Sequence, residues 1–334
     1  MKAAVYHQHG GTEQIRIEDV PAPVCGPRDA IVEVRAAALN GFDPMMLMKT
    51  TGLKTPLPMV PAGDAAGVIV ELGAEVDPTR WPLGTAVTIY PMVPDEGMTG
   101  ETRIGACSEY IRIPVANLVR MPDGLGFEDA ASLPIAYGTA LRMMRVRGRI
   151  AAGEKVLIWG ATGGVGVACV QLAKAAGAAV VACGSAAWKL ERLRQLGAEM
   201  VIDTSAEDVR AAVWQRFGKP STRGGGGVDV VVNYIGGDTW VESLKLLGPG
   251  GRMVTCGATA GYATGNDVRY IWSYELTIIG SNGWSMDDQA EVLRMARGRE
   301  IEPVIHAVRP LAETGAAMQE LIDRKVFGKV VLVP

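Results

Sequence analysis

The chain has 334 residues, enough for about two domains at ~150 residues each. Its 48% hydrophobic and 21% charged residues exclude a disordered chain. The net charge is -3, so basic residues are not in excess, which argues against a nucleic-acid or anionic-membrane partner.

The N-terminal third is predicted to be β-rich. Short β-branched runs separated by Gly and Pro are typical of an antiparallel barrel or sandwich. These runs cover residues 30–35, 67–71, 86–90 and 109–113. The segment from Tyr90 to Gly105 contains Pro and Gly without periodicity, and it is predicted to be an exposed loop.

From residue 155 onward, strands alternate with helices. The predicted strands are 155–159, 179–183, 200–202, 228–233, 252–256 and 276–279, with helices at 163–177, 187–196 and 206–217 between them. This alternation predicts a doubly wound parallel (Rossmann) sheet. One helix (287–297) and two short strands (305–309 and 330–333) follow. Two strands are not stable alone, so we expect them to return to the β-rich domain.

The five cysteines and three histidines suggest no metal site. The cysteine number is odd and no pair has C-x-x-C spacing, which predicts reduced thiols and a cytoplasmic protein. His7 and His9 are spaced i, i+2, a pattern more often solvated than metal-binding. No apolar run approaches the ~20 residues of a membrane span. The N-terminus turns polar by His7, which predicts no signal peptide.

A glycine-rich turn at residues 160–166 is the most informative motif. It follows an apolar strand and opens a helix, and it matches the frame G-x-G-x-x-G with Ala161 in place of the first glycine. Glycine lets backbone N–H groups approach a pyrophosphate, which the helix N-terminus attracts. The alternative is a packing turn without a ligand. The predicted contacts are Ala161, Thr162, Gly163, Gly164, Val165 and Gly166.

The end of the second strand favours NADPH over NADH. NAD sites usually carry Asp or Glu there, but this chain has Gly184 and Ser185. Ser185 can donate a hydrogen bond to a 2′-phosphate, and Lys189 lies one helical turn further on, with Arg192 behind it. The alternative is that both cations are ordinary solvated helix residues. The predicted cofactor set also includes Asn233, Gly257 and Ser281.

Several motifs in a fixed order carry a family resemblance. They are residues 1–5 (MKAAV), 38–43 (ALNGFD), 61–67 (PAGDAAG), 130–134 (AASLP), 137–140 (YGTA), 161–166 (ATGGVG) and 328–332 (GKVVL). Over essentially its whole length the chain resembles the medium-chain dehydrogenase/reductase superfamily, in particular its zinc-free quinone oxidoreductase-like branch. The resemblance implies a GroES-like barrel domain (1–121 and 282–334) and a Rossmann domain (122–281).

The chain departs from the related zinc enzymes at their metal-ligand positions. The resemblance places a zinc-binding Cys at Asn40, a His-Glu pair at Asp64 and Ala65, and a further Cys near Pro134 or Ile135. The structural-zinc lobe, with four cysteines, would fall near 90–107, where only Cys107 is present. Zinc requires thiolate, imidazole or carboxylate ligands in a tetrahedral array. We therefore predict no metal.

Without a metal, a conjugated acceptor is easier to reduce than a plain ketone. Hydride added to the β-carbon of an enone or quinone leaves an enolate or phenolate that needs only hydrogen bonds and a proton. The predicted function is NADPH-dependent reduction of such a compound. The alternatives are an alcohol dehydrogenase of the same fold and a low-turnover NADPH-binding sensor.

By resemblance, Asn40 and Thr139 lie near the nicotinamide and are the candidate catalytic residues. For Asn40 the alternative is a loop residue that bonds to its own backbone. Enoyl-thioester reductases of the superfamily carry a Tyr soon after the stretch matching 40–43, and none occurs here between Met45 and Val60. We also predict a homodimer, because the sixth strand is apolar and lies at a sheet edge, which allows isologous pairing through residues 272–284.

Overall fold

A computed structural model describes all 334 residues and divides them into two compact units. Unit 1 comprises Met1–Ala136 and Ser285–Pro334, and unit 2 comprises Tyr137–Trp284. The division falls after Ala136 rather than after residue 121, because the helix Phe127–Ala131 packs against strands of unit 1.

The chain forms seventeen strands and ten α-helices. The strands are β1 (Lys2–Val5), β2 (Arg16–Asp19), β3 (Asp29–Leu39), β4 (Asp64–Leu72), β5 (Ala86–Ile89), β6 (Met92–Val93), β7 (Gly97–Met98), β8 (Tyr110–Pro114), β9 (Leu118–Arg120), β10 (Lys155–Ile158), β11 (Ala179–Gly184), β12 (Met200–Asp203), β13 (Val228–Val232), β14 (Leu247–Thr255), β15 (Thr277–Gly280), β16 (Ile305–Pro310) and β17 (Lys329–Val333). The helices are α1 (Asp43–Leu47), α2 (Phe127–Ala131), α3 (Pro134–Leu141), α4 (Gly164–Ala175), α5 (Ala187–Gln195), α6 (Val209–Phe217), α7 (Asp238–Leu246), α8 (Val268–Ser273), α9 (Met286–Arg297) and α10 (Thr314–Ile322).

Unit 1 contains a seven-stranded sheet in the order β16-β17-β3-β4-β5-β9, with β8 paired to β3. Its pairs are antiparallel except β16 with β17. The C-terminal strand β17 runs antiparallel to β3 and places Val330 opposite Leu39. The alternating apolar residues of these strands form a buried core that includes Val32, Ile69 and Ile113.

Unit 2 contains a six-stranded parallel sheet in the order β12-β11-β10-β13-β14-β15. The predicted doubly wound sheet is confirmed. Its central strands are continuous apolar runs because helices cover both faces, and Val156, Leu157 and Ile158 are fully buried. The strand order reverses between β10 and β13, and ligands of such sheets bind at the carboxyl ends beside this point.

Other elements differ from the sequence prediction. The segment 90–105 is not simply an exposed loop: it contains the β6–β7 hairpin, and Thr99 is fully buried. Helix α3 was not predicted because its residues are apolar on every side, which removes the amphipathic pattern. Helix α6 begins at Val209 rather than at residue 206, because the Asp208 side chain caps it through the Ala211 N–H. No helix of the protein has the length and apolar character needed to cross a membrane.

Candidate active site

The glycine-rich turn joins β10 to α4. Gly160 has φ +64°, and the Ala161 N–H donates to the Cys183 carbonyl of β11 at 3.0 Å. A Cβ on Gly166 would lie 2.4 Å from the Gly160 oxygen, so only glycine lets α4 pack on the turn. A Cβ on Gly163 would meet nothing closer than 3.9 Å. The turn is therefore packed on one side and open on the other.

The N-terminus of α4 has the features of an anion site. The helix has 12 residues, and no side chain caps it at Gly163. Its first N–H groups have no intrahelical partners, and its dipole favours negative charge there. The predicted residues 161–166 are thus brought together at an uncapped helix end beside the reversal of strand order.

Tyr234 supports this turn from the loop after β13, and it was not predicted from the sequence. Its hydroxyl donates to the Gly160 carbonyl at 2.8 Å. Tyr234 lies two residues after the end of β13, the neighbour of β10 in the sheet, so its place at the carboxyl edge was the available signal. It fixes the carbonyl of the residue that begins the turn.

Asn233 is fully buried, and its side chain is bonded within the protein. Its Oδ1 accepts the Ile235 and Gly236 N–H groups at 3.0 Å, and its Nδ2 donates to Ser243 Oγ at 2.8 Å. The side chain therefore shapes the loop after β13, which leaves its predicted cofactor contact to the backbone.

The end of β11 explains the missing acid. A Cβ on Gly184 would approach Thr162 Cγ2 to 2.8 Å, so this position has no room for a carboxylate. Ser185 is exposed, and Lys189 is buried with its ammonium 5.4 Å from the Trp188 ring centroid. On the neighbouring strand Asp203 pairs in register with Gly184, and its carboxylate accepts Ser205 Oγ and N–H.

A cavity of about 670 Å³ lies at the carboxyl ends of β14 and β15. Its lining includes the predicted residues Gly257 and Ser281, together with Arg147, which donates to the Gly280 carbonyl at 2.9 Å. Ser281 is 6% exposed, and its buried hydroxyl has no hydrogen-bond partner in the protein. An unsatisfied buried hydroxyl beside a cavity fits a polar ligand. The turn, the uncapped α4 and this hydroxyl together fit a dinucleotide.

The two candidate catalytic residues lie in different units. Thr139 lies in the part of α3 that belongs to unit 2, and it is 8% exposed. Asn40 follows β3 in unit 1 and is 7% exposed. The Asn40 amide is held by protein groups: Nδ2 donates to Asp64 Oδ2 at 2.9 Å, and Oδ1 accepts from Lys329 Nζ at 2.5 Å.

The three positions where the resemblance places zinc ligands meet in unit 1. Asp64 Oδ2 bonds to Asn40, and Asp64 Oδ1 accepts the Ile135 N–H at 2.9 Å. Lys329, which the sequence analysis did not single out, places its ammonium 3.0 Å from Asp64 Oδ2. We call Asn40, Asp64, Ile135 and Lys329 the lysine cluster.

Asp43 is a second buried carboxylate beside the lysine cluster. Its oxygens accept the Asn40 N–H at 2.6 Å and the Ala62 N–H at 3.1 Å. Burial raises the pKa of Asp43 to about 7, against the lowering effect of these two N–H groups and of Lys329. Asp43 is thus a structural support of the Asn40 backbone that titrates near neutrality.

Comparison with known proteins agrees with this architecture. The family described as "Alcohol dehydrogenase GroES-like domain" matches residues 26–123, and the family described as "Zinc-binding dehydrogenase" matches residues 164–297. Crotonyl-CoA reductase of Streptomyces collinus is 29% identical over 95% of this chain and 81% of its own length. The chloroplastic NADPH-dependent alkenal/one oxidoreductase of Arabidopsis thaliana is 30% identical over 100% of this chain and 80% of its own length.

Among solved structures, an NAD-dependent alcohol dehydrogenase superposes with a TM-score of 0.91 at 32% identity, with 100% of both chains covered. This alcohol dehydrogenase therefore has the same fold as the present chain over the full length of both.

The family description names zinc, but the lysine cluster does not fit this ion. The groups that meet there are an amide, one carboxylate, a backbone N–H and an ammonium. The last two are donors, and a metal ion needs lone pairs directed at it. No group of three or more His, Cys, Asp or Glu side chains elsewhere in the protein is arranged to hold a metal.

Proposed function

Because the chain is an oxidoreductase that belongs to the medium-chain dehydrogenase/reductase superfamily, we propose that it transfers a hydride from NADPH to a quinone or an α,β-unsaturated carbonyl compound without a metal ion. The proposed activity is that of the zinc-free, quinone oxidoreductase-like branch. The observation that carries the proposal is the Lys329 ammonium, which lies where the metal-ligand positions meet.

The choice of NADPH rests on the end of β11. Thr162 excludes a carboxylate at Gly184, and Asp203 of the next strand is bonded to Ser205. We propose that a 2′-phosphate there accepts hydrogen bonds from the Ser185 hydroxyl, a neutral donor, and from the Lys189 ammonium, a charged one. The name of the Arabidopsis thaliana relative, an NADPH-dependent oxidoreductase, supports this choice.

The choice of a conjugated acceptor rests on the charge that the reaction develops. When bound, NADPH supplies the hydride, which adds to the β-carbon of the acceptor. The π electrons shift to the carbonyl oxygen to give an enolate, which then takes a proton at the α-carbon from solvent or a side chain. Hydrogen-bond donors suffice to stabilise an enolate, whereas the alkoxide of a plain ketone gains most from a Lewis acid.

The protein's own residues bind and orient the cofactor. Residues 161–166 and the N-terminus of α4 hold the pyrophosphate, and Tyr234 fixes the turn through Gly160. Ser281 lines the cavity at the carboxyl ends of β14 and β15, and its buried hydroxyl has no partner in the protein. Asn40 and Thr139 remain the proposed catalytic residues, and the Asn40 amide is itself held by Asp64 and Lys329.

The test is NADPH oxidation against a naphthoquinone, a 2-alkenal, an enoyl-CoA and a simple ketone. We expect turnover with at least one conjugated acceptor and a rate at least ~100-fold lower with the ketone, which lacks the conjugated route. Alcohol oxidation that depends on stoichiometric zinc would make the chain a zinc alcohol dehydrogenase instead. Tight NADPH binding without oxidation by any acceptor would identify a cofactor-binding sensor.

A further inference from the structure

Lys329 is an unusual residue because its charge is removed from water. The residue is 2% exposed, and its partner Asp64 is fully buried. Lysine is almost never fully buried unless it is paired. The cost of desolvating both groups is offset only when geometry and further hydrogen bonds are good. The protein therefore maintains a buried ion pair at a costly position.

The ammonium lies between two oxygen atoms from different strands and loops. Nζ is 2.5 Å from Asn40 Oδ1 and 3.0 Å from Asp64 Oδ2. Both oxygens face one point, which is occupied by the lysine nitrogen. The remaining oxygen of Asp64 faces the Ile135 N–H. Every acceptor of the lysine cluster is thus satisfied by a nitrogen donor.

We propose that the Lys329 ammonium takes the place of a metal ion in this chain. It neutralises Asp64, holds the Asn40 amide by its oxygen, and keeps divalent cations out of the lysine cluster. Lys329 is a positioning residue, since it acts through Asn40. Its effect on turnover rests on the proposed function, but its effect on cation binding does not.

Cation binding tests the proposal without any measurement of turnover. Without the ammonium, Asn40 Oδ1 and Asp64 Oδ2 face a vacated point, and oxygen ligands suit hard cations such as Mn²⁺. We expect the Lys329→Ala protein to bind about one Mn²⁺ per chain, measured by electron paramagnetic resonance, and the unchanged protein to bind none. Lys329→Ser, which also leaves this point open, serves if the alanine variant does not fold.

Two controls locate the binding. Lys325→Ala removes an exposed lysine near the same strand and is expected to bind no Mn²⁺. Asp64→Asn added to Lys329→Ala is expected to abolish the binding, since it removes the carboxylate. Mn²⁺ or Zn²⁺ bound at this site by the unchanged protein would overturn the proposal, and so would the absence of Mn²⁺ binding in both Lys329 variants.

Turnover separates positioning from a general loss of structure. In Lys329→Met we expect kcat for the conjugated acceptor to fall ~10- to 100-fold with an unchanged NADPH Kd, because the cofactor residues belong to unit 2. Lys329→Arg keeps a cation and is expected to restore part of kcat. An equal loss in the arginine variant would exclude the charge as the cause. An enzyme inactive toward every acceptor would refute the proposed function, while the Mn²⁺ result would still decide the identity of the cation.

Discussion

At the scale of single residues, the proposed preference for NADPH depends on Lys189. The residue is 5% exposed and lies in the first turn of α5, the helix that follows Gly184. Lys189→Ala would remove the proposed charge-assisted hydrogen bond to the 2′-phosphate, worth ~1.5–3 kcal/mol, so the NADPH KM is expected to rise ~10- to 100-fold. NADH lacks the 2′-phosphate, and its KM should change little.

Steady-state kinetics with both cofactors measures this difference, with Lys174→Ala in the exposed part of α4 as the control. Equal KM values for NADPH and NADH in the unchanged protein would contradict the assignment of NADPH.

Asp43 gives the folded state a dependence on pH. Its pKa is about 7 in the folded protein, raised by burial from the value of 3.8 that the unfolded chain has. Between these values the folded state holds a proton that the unfolded state has released. The contribution of Asp43 is therefore complete below pH ~4 and is lost as the pH rises through ~7.

Urea unfolding at pH 5 and pH 8 checks this effect. We expect Asp43→Asn to reduce the loss of stability across this range, because the amide does not titrate. An identical difference between the two pH values in both proteins would show that Asp43 does not titrate there.

At the scale of elements, two glycines of the β10–α4 turn differ in the space around them: Gly166 is closely packed and Gly163 is open. Gly166→Ala forces a Cβ to 2.4 Å from the Gly160 oxygen, so α4 must shift and NADPH binding should be lost. Gly163→Ala has room and an ordinary φ of -83°, so its melting temperature should stay unchanged. Its methyl group nevertheless stands at the open side of the turn and should weaken NADPH binding ~10-fold.

Isothermal titration with NADPH and thermal unfolding compare these two variants. Native NADPH affinity in Gly166→Ala would show that the dinucleotide binds at another place in the protein. Native affinity in Gly163→Ala would indicate a packing turn without a ligand.

Local signals account for the elements that the sequence predicted well. The strand predicted at 155–159 is observed at Lys155–Ile158, because buried parallel strands are near-continuous apolar runs. The turn at 160–166 was also predictable from a local signal, because its glycines, the strand before it and the helix after it are adjacent in the chain.

Partners that are distant in the chain account for what the sequence did not show. Lys329 and Asp64 are 265 residues apart, and no local pattern distinguishes a buried lysine from a solvated one. Tyr234 and Gly160 are 74 residues apart and meet only because β10 and β13 are neighbours in the sheet. Asn40 was identified by its position, but its bonds to Asp64 and Lys329 required the fold.

At the scale of the whole molecule, we predict a homodimer through the edge strand β15. The strand is last in the order of the unit 2 sheet and is largely exposed, with Ile278 at 39%. Trp272, just before it, is 70% exposed. Trp284 does not belong to this surface, since it is 6% exposed and packs on Gly138. Pairing β15 with its copy about a two-fold axis would satisfy the free strand edge.

The dimer is tested at Ile278, whose N–H points away from the chain's own sheet. The Ser281 N–H donates to Thr255 of β14, and alternate residues of a parallel strand face the same neighbour, so Ile279 and Thr277 face β14 and Ile278 faces outward. Ile278→Lys places a charge in the predicted contact and should shift the protein to monomers. Val70→Lys, at a site 40% exposed in unit 1, is the matched control and should not. Sedimentation equilibrium measures both, and a single 35.3 kDa species for the unchanged protein at micromolar concentration would refute the dimer.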